Sequence, residues 1–236
     1  MISIYDLGIN LNKSELITIV GAGGKTSIMF NIAEKLAEIK KKVLLTTTTK
    51  IFKPNKKNIK MYIGESKNLE CFNENIIVAG SKIIEKNKIK GYSNSDIDTI
   101  FSKKIFDYII VEGDGARRKS IKAPRENEPI VPISTNILIG VIGMDAYGEN
   151  VTEDNVFGLK EFLKITGKKK HEQIDINDIR KLIVNPEGLF KYRGGKNILV
   201  LNKVNEYNLD VSNKIKIYIE NNYIDFINKV IKVEEL

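Results

Sequence analysis

Residues 21–27 read GAGGKTS, three glycines with a lysine and a threonine in one short stretch. Gly21, Gly23 and Gly24 can adopt backbone conformations closed to residues with a Cβ, so a loop built on them can wrap close to phosphate oxygens. Lys25 would neutralise β- and γ-phosphate charge, and Thr26 would offer its hydroxyl to Mg²⁺. Ala22 and Ser27 complete the expected nucleotide-binding stretch. The usual loop, G-x-x-x-x-G-K-[ST], would place its first glycine at Ile19; here it arrives at Gly21, so the loop is short.

A second set of chemical residues follows in DYIIVEGDGARRKSIKAPRENEP, residues 107–129. Four apolar residues ending in Glu112 have the form of a Walker B strand, which sets a carboxylate at the ligand edge of a parallel sheet. Glu112 and Asp114 can divide two tasks, completing a Mg²⁺ shell and orienting a nucleophile. With Lys25 they form the expected catalytic set. Thr26, Glu112 and Thr48, from the TTTT run at 46–49, are the expected metal contacts. Arg117, Arg118, Lys122 and Arg125 then form a basic stretch suited to an anionic second ligand, because arginine pairs bidentately with phosphate or carboxylate.

LNKVN (201–205) approaches N-K-x-D, the guanine-reading motif, and puts Asn202 and Lys203 among the expected nucleotide contacts. Its last place is Asn205, which lacks the charge of the aspartate that accepts from guanine, so ATP is favoured over GTP. His171 is the one histidine and Cys71 the one cysteine. Neither has a neighbour suited to metal binding or nucleophilic catalysis, and a single cysteine fits a reducing compartment.

These residues need elements to hold them. LITIV (16–20) reads as a buried strand before the loop, and Ile28, Ile32, Leu36 and Ile39 share one face of a helix from about Thr26 to the lysines at 40–42. Further strands are expected at 42–49, 76–80, 108–112, 137–143 and 197–202, with 62–64 and 227–233 as additional ones. Helices are expected over 98–104 and 211–223, and a loop over 185–195. The alternation specifies a doubly wound, mostly parallel α/β sheet of P-loop NTPase type. The whole chain, 1–236, reads as one domain, with 144–195 a candidate helical insertion.

The net charge is +8, but only five of the 38 basic residues are arginine, and the lysines are spread along the chain without interleaved aromatics. That distribution argues against nucleic acid as the partner. No apolar run reaches about 18 residues and no charged-then-apolar leader opens the sequence, so a cytoplasmic protein away from membranes is expected.

The loop's four-residue step from glycine to lysine resembles that of Mur ligases and folylpolyglutamate synthetases, over the loop alone. Across residues 10–205 the glycine loop, the TTTT strand end, VEGDGARR, KAPRENEP (122–129) and VLNKV together resemble the YqeC-like proteins. Those are described as accessory proteins of selenium-dependent molybdenum hydroxylases. Gly113 stands where that family's acidic motif usually has alanine, and VFGLK (156–160) stands where it often has a His-Arg pair. The resemblance implies a P-loop fold and a role in maturing such a hydroxylase, with the enzyme or its pterin cofactor as partner. Two other functions fit the same residues: a GTPase-type metallochaperone switch, and a non-catalytic binder of a phosphorylated pterin.

Overall fold

The computed structural model of the chain describes residues 2–234, apart from 54–58, 71, 86 and 193. Cys71 therefore lies outside the described residues. The chain begins with β1 (Glu15–Gly21), α1 (Lys25–Glu38), β2 (Val43–Thr47), β3 (Lys50–Phe52), β4 (Lys60–Ile63) and β5 (Ile76–Gly80). It continues through β6 (Lys82–Glu85), β7 (Lys88–Lys90), α2 (Asn94–Ser102), β8 (Tyr108–Glu112), β9 (Ile121–Lys122) and β10 (Ile137–Gly143). The last elements are β11 (Val156–Phe157), α3 (Leu159–Thr166), α4 (Ile176–Val184), β12 (Lys196–Val204), α5 (Leu209–Asn222) and β13 (Lys229–Glu234).

Eight strands form one sheet in the order β13-β12-β10-β1-β8-β2-β5-β4, and every pairing in it is parallel. Its central strands are continuous apolar runs because both faces are covered. Along β1, Ile17 and Ile19 share a core with Ile28, Ile32 and Leu36 of α1. Leu16 faces the other way, into a core with Ile97 and Ile100 of α2. Leu138 of β10 and Leu199 of β12 meet Phe162 of α3, Ile179 of α4 and Ile215 of α5 on that opposite face. This is the expected α/β doubly wound architecture.

From β1 the chain moves to β2, two places to one side, while β10, β12 and β13 fill the other side. The order therefore reverses beside β1, and in open α/β sheets ligands bind in the crevice at such a reversal, outside the strands' carboxyl ends. Gly21, Thr47, Glu112, Gly143 and Val204 end their strands on that edge.

Three local differences from the sequence expectation have physical causes. α2 starts at Asn94 rather than Asp98, because Ser93 and Asp96 form a reciprocal capping box ahead of the apolar periodicity. β2 stops at Thr47, where Tyr92 N donates to Thr47 O at 3.0 Å and the chain turns away. A second sheet, β3-β7-β6, antiparallel and absent from the sequence reading, then folds over the carboxyl end of β2. The segment 144–195 contains α3 and α4, packed on the main sheet. Among the described residues no helix is long and apolar enough to cross a membrane.

Candidate functional site

The glycine loop leaves β1 through backbone that a side chain would block. Gly21, Gly23 and Gly24 have φ of 92°, 87° and 116°, the left-handed region that favours glycine. A Cβ on Gly23 would strike the backbone of Gly143, so the loop lies directly on the end of β10. Three of its amides are committed internally. Gly21 N donates to Asp114 Oδ2 at 3.3 Å, Ala22 N to Val141 O at 2.9 Å and Gly23 N to Lys119 O at 3.0 Å. The first bond of α1 runs from Ile28 N to Gly24 O, and Gly24 at the N-cap provides no side-chain cap. The opening amides of the helix, from residue 25 onward, are thus the donors that have no intrahelical partner, the kind of group that can receive an anion. Residues 23–27 line the cleft, whereas Gly21 and Ala22 are buried behind it.

β8 runs beside β1, with Ile19 opposite Glu112, so the Glu112 carboxylate sits next to the glycine loop. Thr26 Oγ1 donates to Glu112 Oε2 at 2.8 Å, joining two expected metal contacts. Burial pushes the Glu112 carboxyl up from its ordinary range, opposed by Lys25 and by the Thr26 hydrogen bond.

Asp114 has a different position from the one expected of a group that orients water. It is buried between two lysines, with Oδ1 3.1 Å from Lys25 Nζ and Oδ2 2.9 Å from Lys122 Nζ. Lys25 Nζ also donates to Gly21 O at 2.6 Å, drawing the lysine back over its own loop. Lys122 continues to Glu128 at 2.7 Å and to Gly115 O at 2.8 Å. Its three donors are used within the alternating chain Lys25–Asp114–Lys122–Glu128, a position different from the cleft-facing one expected of a residue for an anionic second ligand. Buried charges of opposite sign held this way fix the loop relative to β8.

The four threonines diverge. Thr46 Oγ1 donates to Ala79 O at 2.9 Å and Thr47 Oγ1 to Glu112 O at 2.7 Å, both as sheet ties. Thr48 lines the cleft, but its hydroxyl lies 3.2 Å from both Gly113 O and Ile130 O. Asn202 reaches the site from β12 and donates to Gly23 O at 2.6 Å, which makes it a clamp on the loop. Lys203 lines the cleft and pairs with Asp145 at 2.7 Å, beside Ser120. Arg117 and Arg118 line it too, whereas Arg125 turns to Phe157, its guanidinium 4.6 Å from the ring centroid. Lys122 and Arg117 also lie near that ring, at 4.8 Å and 5.9 Å, so three of the four expected basic residues gather about Phe157.

The cleft encloses about 1400 Å³. Sequence reasoning missed Asp145, Ser120 and Phe157, which no motif marked. It also missed Lys50, Lys82, Lys88 and Lys90, which line the same cleft from the small sheet. Their signal was present in the period-two pattern KIK at 88–90, preceded by KIIE and the Asn87 turn.

The YqeC protein family model matches residues 17–160, a span that includes the glycine loop, the whole β8 acidic segment and KAPRENEP. The chain is also 32% identical over 198 residues to the uncharacterized protein YqeC of Escherichia coli strain K12, covering 80% of this chain and 74% of that protein. On both comparisons, the chain belongs to the YqeC family.

Proposed function

We propose that the protein binds a Mg²⁺–nucleoside triphosphate on its glycine loop, ATP in preference to GTP, and uses it for phosphoryl transfer or hydrolysis. The observation that carries this reading is the 2.8 Å contact between Thr26 and Glu112 beside the uncapped start of α1. A hydroxyl and a carboxylate next to helix amides form the donor set that Mg²⁺ uses when phosphate oxygens and water complete its shell. The Thr26 hydroxyl donates its proton to Glu112, so its lone pairs are directed elsewhere, and the residues fit the ion. Mg²⁺ so held would neutralise charge developing on the phosphates.

Each remaining role belongs to the chain itself. The amides from residue 25 onward hold the phosphates, and Lys25, steered by Asp114, supplies a fixed positive charge where negative charge accumulates. Asn202 keeps the loop in shape. The preference for ATP rests on Asn205, whose Oδ1 accepts from Tyr207 N at 3.1 Å and so serves the turn before α5. Family membership, together with the family's description as accessory proteins of selenium-dependent molybdenum hydroxylases, supports a role in maturing such an enzyme, with the enzyme or its pterin cofactor as partner.

The test is thermal unfolding of the wild type and Lys25→Ala with ATP, GTP, CTP or none, each with and without Mg²⁺. Ligand at about 100 times its Kd adds roughly 2.7 kcal/mol to the folded state. For a chain of this size that raises Tm by several degrees. A Mg²⁺-dependent rise with ATP, lost in Lys25→Ala, is expected; no rise with any nucleotide would sink the reading.

A further inference from the structure

We propose that a second cavity, which shares a wall with the cleft, binds the carboxylate or phosphate group of a small organic molecule through Arg117 and Arg125. The cavity encloses about 360 Å³, within the roughly 300–1,000 Å³ of an ordinary small-molecule site. Its walls are two stretches of chain held together by the short parallel pair of β9 and β11, in which Lys122 stands opposite Phe157. A Cβ on Gly158 would strike Ala123 O, so the chain just past β11 packs directly on the chain just past β9. Phe157 and both arginines line the space between them.

The lining has more cations than carboxylates: Arg117, Lys119, Arg125 and Lys160 against Glu153 and Glu161. Glu153 is 3.3 Å from Lys170, which is not part of the lining. Among the described residues, neither Arg117 nor Arg125 has an ion pair or an acceptor on its guanidinium, and Glu161 pairs with neither. Their contact is with the Phe157 ring, at 5.9 Å and 4.6 Å from its centroid. Lys122, the third cation on the ring, is neutralised by Asp114 and Glu128. The two arginines keep their charge and stay exposed, so a ligand can reach them. Unpaired charges of one sign on a concave surface raise the local concentration of the opposite ion. A guanidinium already laid against a ring gives up little further freedom on binding, and its planar fork matches a carboxylate or phosphate bidentately. Arg117 is also held at φ 48°, a conformation uncommon for residues with side chains and of a kind that gathers at binding sites.

The shared wall connects this cavity to the glycine loop. Arg117 and Lys119 line the cleft as well as the cavity. Lys119 O accepts from Gly23 N at 3.0 Å, so the same short segment supports the loop on one side and the arginine on the other. If the loop holds a nucleotide, a molecule in the cavity is its neighbour and stands as the second substrate. That substrate role rests on the nucleotide reading; the anion site itself does not.

The experiment is calorimetric titration of the full chain with succinate and, separately, with inorganic phosphate, at low salt and without nucleotide or Mg²⁺. The wild type is compared with Arg117→Gln/Arg125→Gln and with Lys40→Gln/Lys104→Gln, a control that removes the same charge from exposed lysines ahead of β2 and β8. Saturable binding of at least one probe is expected, weakened at least about tenfold in the arginine variant and unchanged in the control. Succinate alone would assign the site to carboxylates, phosphate alone to phosphates, and both to the oxyanion they share. The proposal is overturned if neither probe saturates the wild type, if the arginine variant binds as the wild type does, or if the control loses as much. Phosphate held on the glycine loop is distinguishable, because it survives in the arginine variant and is lost in Lys25→Ala. Failure of the arginine site therefore leaves the nucleotide reading standing, and absence of a nucleotide-dependent rise in Tm leaves the arginine site standing.

Discussion

Lys25 and Asp114 form an ion pair sealed from solvent, Nζ to Oδ1 3.1 Å, with only 4% and 1% of the side chains exposed. The lysine of the glycine loop is therefore held by the second carboxylate of the β8 motif, and Asp114 acts by positioning. Asp114→Asn leaves Lys25 and Lys122 both facing a neutral group. Breaking a buried pair from one side costs about 3–5 kcal/mol, which for a chain of this size lowers Tm by roughly 6–20 °C. Urea unfolding of the variant measures it directly. A cost under about 1 kcal/mol would show that the lysines find other partners.

Glu112 gives a pH dependence of the opposite sign from most carboxylates. Its carboxyl is raised above the ordinary range because burial penalises the charge. Between the unfolded and folded values the native state binds more protons, so this group's contribution to stability falls as pH rises through that interval. The decline begins near the ordinary glutamate value of about 4.3 and is complete once Glu112 ionises in the fold. Glu112→Gln keeps the shape and can still accept from Thr26. The variant should flatten that part of the stability–pH curve and be at least as stable as wild type at pH 7, yet lose the Mg²⁺-dependent part of nucleotide binding. A variant curve parallel to wild type would contradict the burial argument.

Asn202 distinguishes a clamp from a base reader. Its amide donates to Gly23 O at 2.6 Å, so Asn202→Ala releases the loop and alters no contact to a base. Affinity for ATP and GTP should fall by the same factor, about tenfold for one lost hydrogen bond of roughly 1–1.5 kcal/mol. Paired titrations with the two nucleotides give that ratio. A selective loss of one would return NKVN to base recognition.

What the sequence revealed depended on how local the cause was. β1, β8 and β10 were legible because a buried parallel strand must be apolar throughout, and the glycine loop because its conformations exclude side chains. Thr26 and Glu112, 86 positions apart, were each expected as metal contacts, and the fold joins them by a hydrogen bond that the motifs do not state. Asp114 and Lys122 were named too, with roles that failed to anticipate their pairing. That pairing depends on where the loop after β8 returns, which no periodicity encodes. The β3-β7-β6 sheet escaped for a related reason: its strands are three or four residues long, and β3 is separated from its partner by more than 30 positions. Arg117 and Arg118 take φ of 48° and 64°, uncommon for residues with side chains, a backbone turn that the basic pattern does not announce.

Phe157 is the hidden centre of that basic cluster. Its ring centroid lies 4.6 Å from the Arg125 guanidinium, 4.8 Å from Lys122 Nζ and 5.9 Å from the Arg117 guanidinium. Lys122 is fully buried and Arg125 exposed, so the ring's two closest cations should differ in energetic weight. A desolvated cation over a ring is worth about 2 kcal/mol, an exposed one about 0.5–1. Phe157→Leu keeps most of the apolar volume and removes the ring's negative face. It should cost about 2 kcal/mol or more in urea unfolding, while Arg125→Ala costs under about 1 kcal/mol. The double variant should match Phe157→Leu to within a few tenths of a kcal/mol, because the arginine's contact is already gone. Additive losses would mean that Arg125 stabilises the fold through something other than the ring, and that the ring's role is to hold Lys122 and, through it, Asp114 and the loop lysine.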